Sequence, residues 1–325
     1  MRKALIIGID NYPSHQLHCC VNDAQSISNQ LRRNGDGSLN FDVMTKTYLA
    51  SARDAKELIE NLFRGDGHIA LLYFAGHGYK SEYGNTIVFP DDCINNTSAN
   101  IGLPLSEIIK MANKSNFRNK VIILDSCFSG EIGNIHSKLN DCCEIAQGVS
   151  ILTACRKDET SEESGDHGLF TEQLCNALDG GAADFCGNIT MGAIYAYIDR
   201  HFGAWQQRPT FKTNVTEFAP IKKVQPPIDI EIIRSLCTYF KEPHDVFLLD
   251  PSFEHTNIKG GPASKEPFAN EANIKIFRDL QKLESIGFVL PTQVEFMYFA
   301  AMESKGCKLT RLGKYYWNLV KNNRI

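Results

Sequence analysis

Four short, unbroken apolar runs constrain this chain most: residues 4–9 (ALIIGI), 69–76 (IALLYFAG), 121–125 (VIILD) and 149–154 (VSILTA). Runs of that length without polar alternation suit strands covered on both faces, the situation inside a parallel sheet. Helical periodicity fills the gaps between them. Within residues 23–33, Ile27 and Leu31 fall one turn apart. Residues 53–63 carry Leu58, Leu62 and Phe63 on one face, with Ser51 placed to cap them. Residues 104–111 and 169–178 have the same character. Strand–helix–strand repetition predicts right-handed crossovers and an α/β helix–sheet–helix sandwich with a mainly parallel sheet.

This pattern occupies residues 1–220, as a large part (1–130) and a small part (148–220). Residues 131–147 between them are polar and weakly periodic, and read as a long connecting loop. Residues 221–228, rich in proline and lysine, read as an interdomain linker. Residues 229–325 then change character: a helix at 230–240, a second helix carrying Ile274, Phe277, Leu280 and Leu283 that stops at Gly287, a hairpin pairing 294–302 with 307–309, and a closing helix capped by Thr310. Helices followed by a hairpin and a last helix resemble a winged-helix domain, an α+β module.

Charge and cysteine usage exclude several classes. A net charge of −4 argues against wholesale coating of nucleic acid, and the excess of basic residues after Ala301 suits a solvated or protein-binding surface more than a DNA contact. The N-terminal apolar run is cut by Asp10, which makes it a poor signal peptide, and no stretch approaches the about 20 apolar residues of a membrane span. Eleven cysteines, an odd count without C-x-x-C pairs, suit reduced thiols in the cytoplasm rather than a disulfide framework or a structural zinc site.

In open α/β sheets, functional groups collect beyond the carboxyl ends of the strands. Two runs here end in chemistry: IALLYFAG in His77-Gly78, and VIILD in Asp125-Ser126-Cys127. A cysteine attacks as its thiolate and needs a base to generate it, and His77 is the histidine with a strand-end setting. Left alone, Cys127 would be one more buried thiol and His77 a turn residue. Asp125, two residues before the thiol, is unsuited to be its base but suited to receive a cationic side chain, ideally a guanidinium.

The ordered pair YFAGHG and LDSCFSG resembles the caspase-like cysteine proteases, and among them the metacaspase and bacterial caspase-like branch. ALIIGIDNY, CCVNDA, TACRKDETSEES, GLFTEQLCNAL and QQRPTF extend the likeness over about residues 3–219. The resemblance implies a His77–Cys127 dyad without a third side chain, and an oxyanion held by the amides of Gly78 and Cys127. It further implies a specificity pocket floored by Asp125 and Asp23 that selects Arg or Lys before the scissile bond. Asp23 also has a plainer reading, as an acid in the first turn of a helix. The rival specificity, for Asp, would need basic residues, and Arg156 is the conspicuous candidate. Calcium-dependent metacaspases carry further acids after P-x-D; here Pro90-Asp91-Asp92 is followed only by Glu107, so no metal or other cofactor is expected. Lys138, the basic side chain of the 131–147 loop, is the candidate for self-cleavage. The implied partners are a protein or peptide substrate and an unidentified activator at the C-terminal domain. The competing class is a DNA- or protein-binding regulator on a silent caspase-like scaffold.

Overall fold

The computed structural model describes residues 1–81, 84–94, 102–126, 144–154, 167–202 and 208–325, which fall into two compact units, Met1–Gln225 and Pro226–Ile325. The first unit begins with β1 (Arg2–Gly8), α1 (Cys20–Arg32), β2 (Asp42–Lys46), α2 (Ala52–Phe63) and β3 (Asp66–Ala75). A small antiparallel sheet follows, built of β4 (Gly78–Ser81), β5 (Gly84–Ile87) and, after α3 (Pro90–Ile94), β6 (Leu103–Pro104). Next come α4 (Leu105–Lys114), β7 (Asn116–Asp125), β8 (Val149–Thr153) and α5 (Leu169–Asn176). The unit closes with β9 (Asn188–Thr190), α6 (Met191–Asp199), β10 (Thr210–Asn214) and β11 (Pro220–Lys223). β11, at the start of the stretch expected to be a linker, pairs with β9.

Six strands form the main sheet in the order β10-β8-β7-β3-β1-β2. All pair in parallel except β10, which closes one edge antiparallel. The four apolar runs are its four interior strands. Along β3, Ala70, Leu72 and Phe74 turn to one face, where they meet Ile59 of α2 and Ile108 of α4. Leu71, Tyr73 and Ala75 turn to the other, against Ala24 and Ile27 of α1, Leu174 of α5 and Ile194 of α6. Each fully buried Leu, Ile or Phe among them contributes roughly 1.5–3 kcal/mol. That two-sided burial explains the absence of polar alternation.

Two local devices fix the tip region. The Ser51 hydroxyl accepts from the Asp54 N–H and caps α2, as the sequence implies. α1 has no such cap at Cys19; the Asp10 carboxylate reaches across instead, accepting from the N–H of Cys20 (2.8 Å) and of Val21 (3.3 Å). α1 also lies directly on β1. A Cβ at Gly8 would stand 2.1 Å from the Cys20 carbonyl and 2.6 Å from the Ala24 Cβ, so only glycine permits this approach. Gly8→Ala is expected to cost about 1–3 kcal/mol by forcing the helix off the sheet. A thermal melt lowered against the parent chain checks it; an unchanged melt would show that α1 moves freely.

The second unit comprises α7 (Ile230–Arg234), α8 (Leu236–Tyr239), β12 (Val246–Leu248), α9 (Glu271–Ser285), β13 (Val289–Thr292), α10 (Met297–Met302), β14 (Gly306–Leu309) and α11 (Arg311–Lys321). Its sheet is antiparallel in the order β12-β14-β13. The hairpin expected between 294–302 and 307–309 does not form. Met297, Ala300 and Ala301 are buried at helical spacing, so that segment is α10, and β14 pairs with β12 and β13 instead. Thr310 does cap the last helix, accepting from the Gly313 N–H, and α9 gives way to Gly287 at a positive φ of 75°. Among the described residues no helix is long and apolar enough to cross a membrane.

Candidate active site

β3 and β7 run side by side with Ala75 opposite Asp125, and beyond the last pair the Gly76 N–H donates to the Asp125 carbonyl at 3.3 Å. His77 follows at once and is half-buried. Its backbone and ring are both held. The His77 N–H donates to the Tyr12 hydroxyl (3.1 Å), which in turn donates to the Val88 carbonyl (3.1 Å). The Tyr12 ring stands edge-on to the imidazole, 4.4 Å between centroids. Ring atom Nε2 lies 2.5 Å from the His15 carbonyl. A carbonyl can only accept, so Nε2 carries the hydrogen and the neutral ring keeps its lone pair on Nδ1. His15 itself sits at φ 59°, in a loop tied down where the Asp10 carbonyl accepts from Tyr12 and Leu17.

Behind these tips lie two buried carboxylates. Asp125 is 3% exposed and Asp23, in the first turn of α1, is 1% exposed. Thr171 of α5 donates to Asp125 Oδ2 at 2.7 Å, and because its proton is committed there, its oxygen accepts from the fully buried Tyr73 hydroxyl at 2.6 Å. Asp23 Oδ1 accepts from His167 Nδ1 at 2.9 Å, and the Gly168 N–H, at the start of α5, lies 3.3 Å and 3.4 Å from its two oxygens. Burial, reinforced by the charge of Asp125, pushes the Asp23 carboxyl up to about 6 against these hydrogen bonds. Burial likewise pushes the nearby Cys175 thiol up to about 12, which keeps it protonated. This is not the setting of a solvated first-turn acid. Two carboxylates this deep, with one of them already resisting ionisation, suit a cation between or above them.

Of the residues singled out from the sequence, His77, Gly78, Asp23 and Asp125 lie at this end of the sheet; Cys127, Lys138 and Arg156 lie outside the described residues. Tyr12, the His15 carbonyl, Thr171 and His167 escaped sequence reasoning. A backbone carbonyl leaves no residue signature, and the position of Tyr12 in ALIIGIDNY was the one available hint. Two of the acids considered for calcium have protein partners: Asp92 accepts from the Phe89 N–H, and Glu107 pairs with Lys56 at 2.8 Å. Among the described residues no cluster of three or more His, Cys, Asp or Glu is arranged to hold a metal. Cys19, Cys20, Cys175, Cys186, Cys237 and Cys307 are not joined in disulfides.

A helix–sheet–helix sandwich with a held histidine and buried acids at its strand tips defines an α/β protein whose site lies at the carboxyl edge of a parallel sheet. The caspase domain matches residues 1–219, two-thirds of the chain, and the chain belongs to that family, whose members are cysteine peptidases acting on protein substrates. No curated protein matches the chain.

Proposed function

We propose that the chain is a cysteine endopeptidase that cleaves after Arg or Lys, using His77 and Cys127. One observation carries the reading. β3 and β7 pair with a constant offset, Ala75 opposite Asp125, which is 125 − 75 = 50 residues, and 127 − 77 is also 50. A histidine and a cysteine each two residues past that last pair are the residue types a thiol peptidase requires.

In this mechanism Nδ1 of His77, left free of hydrogen by the His15 carbonyl, removes the Cys127 thiol proton. The thiolate attacks the scissile carbonyl carbon, and the amides of Gly78 and Cys127 receive the oxyanion. The imidazolium returns its proton to the departing amine, leaving a thioester. Water, deprotonated by the same imidazole, hydrolyses that ester and restores the thiol. Asp125 and Asp23 bind the basic side chain, with Thr171 and Tyr73 fixing the orientation of Asp125. No metal is needed for these steps. Lys138 is the site of self-processing.

The C-terminal unit, which we read as winged-helix-like, regulates or recruits. Two of its basic side chains are engaged within the unit, Lys314 against His244 (2.8 Å) and Lys321 over the Trp317 ring, which leaves fewer of them for phosphates and supports protein docking over nucleic-acid binding. A regulated cytoplasmic effector in defence or cell death is the role by analogy with caspase-like enzymes carrying extra modules.

A peptide library with each residue type before the scissile bond tests the reading. Cleavage after Arg and Lys is expected, together with a mass loss in the chain at Lys138. Cleavage after Asp alone would overturn the specificity. No turnover by the full chain, with its thiol reactive, would favour a silent scaffold.

A further inference from the structure

His167 belongs to no step above, yet it occupies the proposed pocket. Its Nδ1–H donates to Asp23 Oδ1, and among the described residues it is the basic side chain paired with that acid. The two donors on Asp23 differ in kind. The Gly168 N–H is fixed by its place at the start of α5, whereas the His167 side chain is 37% exposed and has solvent to turn into. Tyr73 and Asp125 approach the same acid from the sheet, and Cys175 from α5; none of them carries a positive charge. The carboxyl of Asp23 nonetheless remains raised, so His167 compensates only part of its burial.

Resting on the Arg/Lys reading, we infer that His167 is a specificity-determining residue: it holds the Asp23 carboxylate in the unliganded chain and is displaced from it by the guanidinium or ammonium of the substrate. The exchange trades one hydrogen bond to Asp23 for the two that a guanidinium offers, while Gly168 stays in place. His167 therefore sets a threshold that a neutral side chain cannot cross and a strong cation can.

Steady-state kinetics of the full chain on an Arg-peptide amide test this. His167→Ala, which leaves Asp23 open to the substrate, is expected to lower KM roughly three- to tenfold with kcat little changed, the scale of one hydrogen bond to a charged group. His167→Asn, whose amide can donate from the Nδ1 position, is expected to return KM toward the parent value. In the Cys127→Ala chain the His167 imidazole NMR signals, assigned by their loss in His167→Ala, are expected to shift on adding agmatine. A raised or unchanged KM in His167→Ala, or signals that ignore agmatine, would overturn the inference. Asp125→Asn separates this from failure of the pocket itself. If that variant keeps its Arg/Lys preference, the pocket reading falls and His167 with it; if the preference is lost while His167→Ala behaves as the parent, only the role of His167 falls.

Discussion

Cys127→Ala is expected to reduce hydrolysis of an Arg-peptide substrate by at least about a thousandfold, with His77→Ala doing nearly the same and the double variant no worse than either. In the proposed mechanism the two residues act as one unit: without the imidazole the thiol would lack its base, and without the thiol the imidazole would have no proton to take. Free energies of such a pair do not add. The folds should survive. His77 is half-buried, and its backbone contacts with Tyr12 and Val88 do not depend on its ring. Rates and melts of the three variants measure this together. Additive losses, or an intact rate in either single variant, would remove these residues from the chemistry.

Tyr12→Phe removes the hydroxyl that accepts the His77 N–H but leaves the ring edge against the imidazole. The His15 carbonyl, which selects the tautomer, would remain. Positioning is thus divided between a side chain visible in the sequence and a carbonyl that is not.

The same division runs through the whole fold. The four interior strands of the main sheet were legible because burial on both faces strips them of polar residues. The edge strands β2 (DVMTK) and β10 (TFKTN) were not, because each is partly solvated and reads like a loop. α10 was misread as a strand because MYFAAM is apolar on nearly every residue, and only the spacing of Met297, Ala300 and Ala301 reveals its helical face. In the site, local motifs announced His77 and Asp125 at their strand ends. Thr171 lies 46 residues from Asp125 along the chain and His167 lies 144 from Asp23, and no local pattern joins either pair. A caspase domain over residues 1–219 accords with the broad reading drawn from those motifs.

Asp125→Asn is expected to lower kcat/KM for an Arg peptide by about a hundredfold, near 3 kcal/mol at ~1.4 kcal/mol per factor of ten, because under the proposed specificity it removes the buried carboxylate that would receive the substrate's cation. The substitution keeps the side chain's shape, and the Asn Oδ1 can still accept from Thr171, so the thiol should react with a small alkylating agent as before. Asp23→Asn should differ in a way that pH exposes. The Asp23 carboxyl titrates near 6, raised chiefly by burial, so below that value it is protonated and offers no charge to the substrate. Binding of an Arg peptide to the Cys127→Ala chain should therefore tighten as pH rises through about 6, and the rise should be absent in Asp23→Asn. Stability runs the opposite way. An acid whose folded value lies above its unfolded value holds its proton more tightly when folded, so its contribution is fully present below the unfolded value and is lost as pH climbs through about 6. The Asp23→Asn chain should melt higher than the parent at neutral pH, with the gap closing toward pH 4. Equal melts at neutral pH together with flat binding in the parent would mean that Asp23 is compensated within the fold. Its depth beside Asp125 would then serve packing, and the selection of a basic side chain would have to lie elsewhere.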